Sequence, residues 1–450
     1  MKKNAVRFVC SSCGHAEAKW LGRCPSCGQW NTLTEESVSP REGKKPPSRR
    51  TAHQAETLSR IPEDAVKRLD TGIPELNQVL GGGMVPGSSV LIGGQPGIGK
   101  STLLLQVSRS VRCSGTVLYI SGEESPRQIA MRARRIGAAS DTIKVLGETD
   151  VTSLLRHMEA IQPALVVVDS IQTLICEELG PVPGTVNQIK YGSHEVSDWC
   201  REHQVPLFLV AHVTKEGSIA GPKVVEHMVD AVLYFEEAEG GIRLLRAMKN
   251  RFGPVNELGI FSMEERGLIG VDNPSSLFLQ NREGGLPPGA AIAPVYEGSR
   301  VLLVEIQALT VPAKSGISRT FADRIDSRRV SRIAAVLEKH VGLRFSDQDL
   351  YVNVAGGIRL DEVGIDLPLA VALYSARTGL AAPEGTVFAG EVSLAGEVRP
   401  VPQAEMRSRA AEKLGFSARI GPGRDGGDEK GKNLRGLKDT LAELFSAKQN

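Results

Sequence analysis

The segment GQPGIGKS at residues 94–101 constrains the fold of this chain more than any other part of its sequence. It lies between an apolar run, SVLIGG (89–94), which predicts a buried strand, and a stretch beginning at Lys100 that has the pattern of a helix. A glycine-rich turn at a helix N-terminus presents backbone N–H groups and positive potential to a phosphate. We therefore predict an α/β fold that binds a nucleoside triphosphate at this turn.

The residues of this turn have predicted roles in binding ATP and Mg²⁺. Its glycines let the backbone approach the β-phosphate, Lys100 reaches the β- and γ-phosphates, and the Ser101 hydroxyl ligates Mg²⁺. Asp169 ends the apolar run LVVVD (165–169) and can hold Mg²⁺ directly or through water. A chance glycine-rich turn is the disfavoured alternative. The predicted nucleotide contacts are Gly94, Gln95, Pro96, Gly97, Ile98, Gly99, Lys100, Ser101, Thr102, Asp169 and His212.

Hydrolysis also requires a group that orients or deprotonates water. Glu123 and Glu124 follow the run TVLYIS (116–121), which we expect to lie next to the strand that leads into the phosphate loop. Glu123 is the favoured base, and Glu124 is the alternative. His212 lies near the end of the run PLFLVAHV (206–213), where it could sense the γ-phosphate. A histidine bound only to a loop carbonyl is the other interpretation.

Five short apolar runs alternate with amphipathic stretches from about residue 60 onward. Runs that are apolar at nearly every position are buried on both faces, so they predict a mainly parallel sheet covered by helices. A second α/β region, with its own strands and glycine-rich turns, extends from about residue 285 to 420.

Four of the seven cysteines lie within the first 27 residues, in two pairs of the form C-x-x-C. Two such pairs can wrap four thiolates around one Zn²⁺, and a site filled by four protein ligands is structural. A disulfide or a chance spacing is the alternative. Trp20 and Trp30 bracket the second pair, and we expect them to pack this small domain, although one could instead face a base or a partner protein. The predicted ligands are Cys10, Cys13, Cys24 and Cys27.

Length and charge limit the remaining possibilities. A chain of 450 residues is too long for one core, and a net charge of +2 means that an anionic partner must be met by local basic patches. No run approaches the roughly 18 apolar residues of a membrane span. We expect a cytoplasmic protein with no membrane contact. The predicted parts are a zinc finger (1–35), a flexible basic linker (36–59), an ATPase domain (60–275) and a C-terminal domain (276–450).

Longer segments carry a resemblance to known families. The run LDTGIPELNQVLGGGMVPGSSVLIGGQPGIGKSTLLLQ (69–106) resembles the opening of RecA-family ATPases. The run AHVTKEGSIAGPKVVEHMVDAVLYFE (211–236) and the motif KNRFG (249–253), taken with the four-cysteine head, are similar to the RadA family of bacterial DNA repair proteins. This second resemblance covers essentially the whole chain.

The resemblance implies a RecA-like core that hydrolyses ATP when stimulated by DNA. It implies binding to single-stranded and branched DNA, assembly into a homo-hexameric ring or a filament, and a helicase-like motor for branch migration beside recombination proteins such as RecA. On the KNRFG motif, Lys249 and Arg251 would project toward the nucleotide of a neighbouring subunit. Two solvated cations in a turn are the alternative. Residues 215–223 would form a DNA-contacting loop.

The segment GEVSLAGEVRPV (390–401) is similar to the C-terminal domain of Lon-type proteases, which use a Ser–Lys dyad. The corresponding positions here are Gly364 and Glu405, and they offer neither a nucleophile nor a cationic base. The resemblance therefore implies a Lon-protease-like α/β domain that lacks the catalytic dyad and is not proteolytic.

The segment RTFADRIDSRRVSRI (319–333) places several arginines on one predicted helix face, where they suit contacts to phosphates. The alternative is a solvated face whose arginines pair with Asp323 and Asp326. The arginines concerned are Arg324, Arg328, Arg329 and Arg332.

A DNA-dependent ATPase of recombination and repair is the leading hypothesis for the whole chain. A KaiC-like regulatory ATPase, switched by nucleotide and acting on proteins, is the alternative. Stimulation of ATP hydrolysis by single-stranded DNA separates the two.

Overall fold

A computed structural model defines two compact units. The first comprises Met1–Glu237 and Arg243–Gly270, and the second comprises Ala238–Ile242 and Val271–Asn450. Cys13, Cys27 and the predicted DNA-contacting loop lie outside the described residues, as does the predicted linker from residue 39 onward. The described residues are 5–10, 15–26, 28–38, 67–180, 182–212, 224–255, 257–271, 275, 279, 285–313, 318–422 and 436–446.

The first unit begins with a three-stranded antiparallel sheet in the order β2-β1-β3. Its strands are β1 (Ala5–Cys10), β2 (Ala16–Glu17) and β3 (Leu33–Val38). Its small core is formed by Cys10, Cys24 and Leu33, with Phe8 packed against them. Both cysteine side chains are therefore part of the interior of a domain that is too small to be held by apolar packing alone.

The larger part of the first unit is a nine-stranded sheet in the order β12-β11-β10-β9-β4-β8-β7-β5-β6. The six neighbouring strands β9, β4, β8, β7, β5 and β6 run parallel to one another. At the other edge, β10 pairs antiparallel with β9, and β12 pairs antiparallel with β11. The strands are β4 (Ser89–Gly94), β5 (Val117–Ser121), β6 (Ile143–Leu146), β7 (Leu165–Asp169), β8 (Leu207–His212), β9 (Ala231–Glu237), β10 (Ile242–Asn250), β11 (Leu258–Glu264) and β12 (Gly267–Gly270).

Helices cover both faces of this sheet. Val90 and Ile92 pack into the core on one face, and Leu91, which lies between them, packs into the core on the other. The uninterrupted apolar runs are thus explained, and the predicted mainly parallel α/β core is confirmed. The helices of this unit are α1 (Pro74–Val79), α2 (Lys100–Ser110), α3 (Pro126–Arg135), α4 (Val151–Ile161), α5 (Val186–Glu202) and α6 (Val224–Met228).

The expectation that β5 lies next to β4 is wrong. β4 pairs with β8 and β9, and β5 pairs with β6 and β7. The connection through α2 carries the chain past two strand positions, which β7 and β8 fill later in the sequence. Apolar runs reveal that strands exist, but they carry no information on the order in which parallel strands assemble.

The second unit is built on a six-stranded mixed sheet in the order β15-β16-β14-β13-β17-β20, with a two-stranded β18–β19 ribbon. The strands are β13 (Ala290–Glu297), β14 (Arg300–Pro312), β15 (Thr320–Ala322), β16 (Gln348–Val354), β17 (Thr386–Phe388), β18 (Glu391–Val392), β19 (Val398–Arg399) and β20 (Ala418–Ile420). The helices are α7 (Ser327–Val336), α8 (Asp366–Thr378), α9 (Ala404–Lys413) and α10 (Leu437–Ser446).

Helix α8 packs against β13 and β14 and buries most of its side chains, which gives this unit its own core. Among the described residues of both units, no helix has the length and the apolar character that crossing a membrane would require.

Candidate functional site

The predicted catalytic residues meet at one edge of the nine-stranded sheet. Gly94 at the end of β4 lies beside His212 at the end of β8, and Ser121 at the end of β5 lies beside Asp169 at the end of β7. The carboxyl ends of parallel strands form the ligand-binding edge of open α/β sheets. The site is therefore assembled from segments that are far apart in the sequence.

The phosphate loop has the backbone geometry of an anion cradle. Gly97 and Gly99 have φ angles of +79° and +119°, a region that side chains rarely adopt. No atom lies within 4 Å of the position that a Cβ on Gly97 would occupy, so this part of the loop borders open space. Gly99 directly precedes Lys100, the first residue of α2. The loop and the helix N-terminus together fit the phosphates of ATP.

Lys100 curls back over its own loop. Its ammonium Nζ donates to the carbonyl oxygens of Gly94, at 2.8 Å, and of Gln95, at 3.0 Å. Burial lowers the pKa of Lys100, and the negative charges of Asp169 and Glu123 oppose that shift. A β- or γ-phosphate is a stronger acceptor than either carbonyl, so ATP can draw the ammonium away from them.

Asp169 is held in place by a buried phenol. The hydroxyl of Tyr119, on β5, donates to Asp169 Oδ2 at 2.6 Å. Burial, followed by the charge of Asp169, raises the pKa of Tyr119 well above its ordinary value, so the phenol keeps its proton and acts as a donor. Asp169 and Ser101 would hold Mg²⁺, which neutralises phosphate charge when it is bound.

Glu123 accepts two hydrogen bonds at this edge, and Glu124 does not share them. Glu123 Oε1 lies 2.5 Å from Ser170 Oγ and 2.9 Å from His212 Nε2. The bond from His212 is the largest of the effects that lower the pKa of Glu123, so its carboxylate is ionised at neutral pH. Glu124 instead forms an ion pair with Arg132 on α3. The geometry favours Glu123 as the base.

His212 connects this carboxylate to the phosphate loop. Its Nδ1 lies 3.5 Å from Lys100 Nζ, and its Nε2 bonds Glu123. An ammonium can only donate, so Nδ1 accepts and the hydrogen is assigned to Nε2 from this network. A change in the position of Lys100 would therefore be transmitted to Glu123 through one imidazole ring.

Sequence reasoning missed two residues of this site, Tyr119 and Ser170. A weak signal existed for each of them. Tyr119 is the polar-tipped residue in the buried strand VLYIS, and Ser170 directly follows the carboxylate at the end of β7. Their partners could not be inferred because the order of the strands was not known.

Lys249 and Arg251 lie away from the phosphate loop of their own subunit. Lys249 pairs with Val232, near the start of β9, whereas the phosphate loop leaves the far end of β4. Lys249 Nζ donates to the carbonyl oxygens of Glu226, at 2.8 Å, and Val229, at 2.7 Å. Partial burial and the adjacent charge of Arg251 lower the pKa of Lys249.

Arg251 is more exposed than Lys249 and is anchored to Asp230. The distance from Arg251 Nη1 to Asp230 Oδ1 is 3.4 Å, and Asp230 Oδ2 accepts from the backbone N–H of Ser89 at 3.0 Å. The KNRFG motif is therefore fixed to the end of the sheet opposite the phosphate loop, where it cannot act on its own subunit's nucleotide.

The same backbone hydrogen bond follows the first cysteine of each pair. The N–H of Cys10 donates to the carbonyl of His15 at 2.9 Å, and that of Cys24 donates to the carbonyl of Gln29 at 2.8 Å. In both cases the acceptor lies five positions after the cysteine. Because Cys10 and Cys24 are also buried in one small cluster, these two thiol donors fit a structural Zn²⁺.

The dyad positions of the second unit are occupied by a different arrangement. The buried Arg407 bonds both carboxylate oxygens of Glu362, at 2.8 and 2.6 Å, and also the carbonyl of Pro294. A Cβ on Gly364 would stand 3.4 Å from both Arg407 and Glu362, and Glu405 lies exposed in α9. A salt bridge thus borders the position that a nucleophile would need.

The predicted basic face of α7 is largely committed to partners within the unit. Arg332 Nη2 lies 2.9 Å from Asp366 Oδ2, and Arg329 donates to the carbonyls of Asp361 and Glu362. Arg328 and Arg324 pair with Asp326 and Asp323 at 2.7 and 3.6 Å. The geometry favours the alternative of intramolecular pairing, and Arg328 is the most exposed of the four cations. Arg324 precedes α7, which begins at Ser327, so it does not lie on the helix face that the spacing predicted.

Three protein-family models match separate parts of the chain. The model described as Rubredoxin metal binding domain matches residues 8–35, the AAA domain model matches 54–218, and the model described as Subunit ChlI of Mg-chelatase matches 322–425. Taken with the phosphate loop and its sheet, these matches define an ATP-hydrolysing enzyme with a RecA-like core, a zinc ribbon and a C-terminal Lon-like domain. ATP with Mg²⁺ and structural Zn²⁺ are its cofactors.

Curated relatives are similar over nearly the full length. The DNA repair protein RadA of Treponema pallidum is 51% identical, with 99% of each chain aligned. That of Bacillus subtilis is 47% identical over 94% of this chain and 93% of its own. Among solved structures, the RadB recombinase has a TM-score of 0.37 and 24% identity over 45% of this chain and 100% of its own. The chain belongs to the RadA family and is a DNA repair ATPase.

Proposed function

We propose that this ATPase is stimulated by DNA, binds single-stranded and branched DNA, and drives branch migration of recombination intermediates as a helicase-like motor. The observation that carries this proposal is the chain of contacts from Lys100 through His212 to Glu123. Residues 215–223, the segment proposed to contact DNA, follow His212 in the sequence after two residues. The C-terminal end of β8, at His212, would then respond both to the bound nucleotide and to the bound DNA.

In this mechanism, Lys100 binds the β- and γ-phosphates, while Ser101 and Asp169 hold Mg²⁺. Glu123 orients and deprotonates the attacking water, and it is kept ionised by His212 and Ser170. Loss of the γ-phosphate would release Lys100 and alter its contact with His212. The remaining residues of the loop, from Gly94 to Thr102, would line the phosphates.

Lys249 and Arg251 would complete the site of a neighbouring subunit. Their position at the opposite end of the sheet supports a role in trans, because a cation there could meet the phosphate edge of another copy. The assembly would be a homo-hexameric ring or a filament that works in the cytoplasm beside a RecA-type recombinase. Cys10, Cys13, Cys24 and Cys27 would bind the zinc ion.

The proposed function is tested by the steady-state ATP turnover of the purified protein. Turnover is measured without DNA and with single-stranded, branched or duplex DNA, each over a range of salt concentrations. Stimulation by single-stranded and branched DNA, weakening as salt rises, is expected. If no DNA changes the turnover, the DNA-dependent function is wrong, and the KaiC-like regulatory ATPase takes its place.

The role in trans is tested by mixing two inactive variants. Lys249→Ala keeps Glu123, and Glu123→Gln keeps Lys249. If Lys249 acts across an interface, mixed assemblies contain interfaces with both residues intact, and part of the ATP turnover returns. If the mixture remains as inactive as its components, Lys249 does not act in trans. Size-exclusion profiles of each variant control for assembly.

A further inference from the structure

Two tryptophans of the zinc ribbon are exposed, contrary to the expectation that they pack this domain. Trp20 is 55% and Trp30 is 70% accessible to solvent, whereas the core of the ribbon is made by the cysteines and Leu33. Large apolar rings that remain uncovered on a small domain mark a surface that binds something. Nothing in the ATPase mechanism uses these rings.

The two indoles both lie close to Gly22, a residue without a side chain. A Cβ on Gly22 would lie 3.8 Å from Trp20 Cη2 and 3.8 Å from Trp30 Cζ3. The indole N–H of Trp20 donates to the carbonyl of Leu33 at 3.1 Å, which fixes the orientation of that ring. The hydrogen-bonding group of Trp20 is thus satisfied internally, and apolar ring surface is left for a ligand.

Cations lie beside both rings. The guanidinium of Arg23 lies 5.8 Å from the centroid of the Trp30 ring, and Arg23 Nε is anchored to the carbonyl of Gly28 at 2.8 Å. Lys19 is exposed beside Trp20. The sequence from residue 18 to residue 34 contains no aspartate or glutamate. Aromatic rings with flanking cations are the pattern that binds unpaired bases and their phosphates.

We propose that Trp20, Trp30 and Arg23, together the tryptophan face, bind single-stranded DNA by stacking on its bases. This inference rests on the proposed function, in which the protein works on single-stranded DNA. The charge of the face favours a polyanion over an apolar protein partner. Duplex DNA is a poor ligand because its bases are already stacked on one another. The ribbon thus adds a second DNA contact to the one proposed for residues 215–223.

The first test uses tryptophan fluorescence, because the chain contains three tryptophans. The third, Trp199, is 9% accessible and donates to Glu159 at 3.0 Å, so it does not report on a ligand at the ribbon. A dT oligonucleotide is titrated into the full-length protein. We expect quenching in the wild type and in Trp199→Phe, and none in a Trp20→Phe, Trp30→Phe double variant. Zinc content confirms that each ribbon is folded.

The second test measures the concentration of single-stranded DNA that gives half-maximal stimulation of ATP turnover. Trp30→Ala should raise it by at least about fivefold, which corresponds to the ~1 kcal/mol lower limit for one stacked base. Turnover without DNA and at saturating DNA should stay at the wild-type values, since the ATPase site is unchanged. Trp30→Phe keeps a ring and should restore most of the affinity.

The outcomes separate this inference from the proposed function. Stimulation by DNA without quenching, or with no effect of Trp30→Ala, overturns the tryptophan face and leaves that surface to a protein partner. Equal quenching by duplex DNA overturns stacking. Quenching without any stimulation of turnover would support the face while contradicting the proposed function.

Discussion

Glu123 and His212 are 89 residues apart in the sequence, and their side chains meet at 2.9 Å. The two residues leave strands that are not neighbours, because β7 lies between β5 and β8. The turn after β5 must therefore cross the end of β7 to reach the histidine. Ser170, which directly follows β7, donates a hydrogen bond to Glu123 where this turn crosses the strand end.

Replacing His212 by alanine should shift the acidic limb of the pH profile of kcat toward higher pH. The hydrogen bond from His212 is the main reason that the pKa of Glu123 is lowered, so its loss raises that pKa. Less of the carboxylate is then ionised at a given acidic pH. His194→Ala, at an exposed histidine of α5, is the control. If the acidic limb does not move, His212 does not control the pKa of Glu123.

The two adjacent glutamates should behave differently when each is replaced by glutamine. Glu123→Gln should lower kcat by roughly 10²- to 10⁴-fold, the usual contribution of a general base, while ATP binding is retained. Glu124→Gln should leave chemistry nearly intact, because Glu124 is paired with Arg132. Single-turnover hydrolysis and equilibrium binding of ATP distinguish the two steps. The reverse ranking would assign the base to Glu124.

Tyr119→Phe should weaken the response of the enzyme to Mg²⁺. The substitution removes only the hydroxyl that bonds Asp169, and loss of a group that orients a metal ligand typically costs ~10- to 100-fold in metal affinity. The Mg²⁺ concentration for half-maximal turnover should rise by about tenfold. Thermal unfolding provides the control for packing. An unchanged Mg²⁺ response would mean that the phenol only fills space.

Gly122→Ala should impair turnover through the turn that presents Glu123. A Cβ on Gly122 would lie 2.5 Å from Thr173 Oγ1 and 2.6 Å from Thr149 Cγ2, so the turn must shift. Such overpacking costs about 1–3 kcal/mol. Gly147→Ala is the matched control, since its nearest neighbour would be at 3.6 Å. Equal turnover of both variants would show that the turn tolerates displacement.

Arg407→Met should destabilise the second unit by about 3 kcal/mol, since it leaves Glu362 without its buried partner. Arg409→Met, on the exposed side of the same helix, should have little effect. Urea unfolding followed by a probe in the second unit measures the difference. Similar midpoints for the two variants would contradict a structural role of the buried pair.

The residues of continuous motifs could be predicted from the sequence, but the side chains that contact them from other strands could not. The phosphate loop and Asp169 are recognisable because their motifs are continuous, and alternation of apolar runs predicted the parallel sheet. The choice of Glu123 over Glu124 rests on the ion pair between Glu124 and Arg132. This pair could not be predicted without knowing where α3 lies. Tyr119 was missed because its importance arises from a neighbouring strand, and the strand order was predicted wrongly at β5.

The salt bridge between Arg407 and Glu362 limits what a side chain at position 364 could do. The Cβ of a serine there would lie 3.4 Å from both the guanidinium and the carboxylate, so its hydroxyl would meet two charged groups that already bind each other. Glu405, in contrast, is exposed on α9. Gly364→Ser together with Glu405→Lys should therefore not be enough to assemble a Ser–Lys dyad, because the serine would first have to compete with this ion pair.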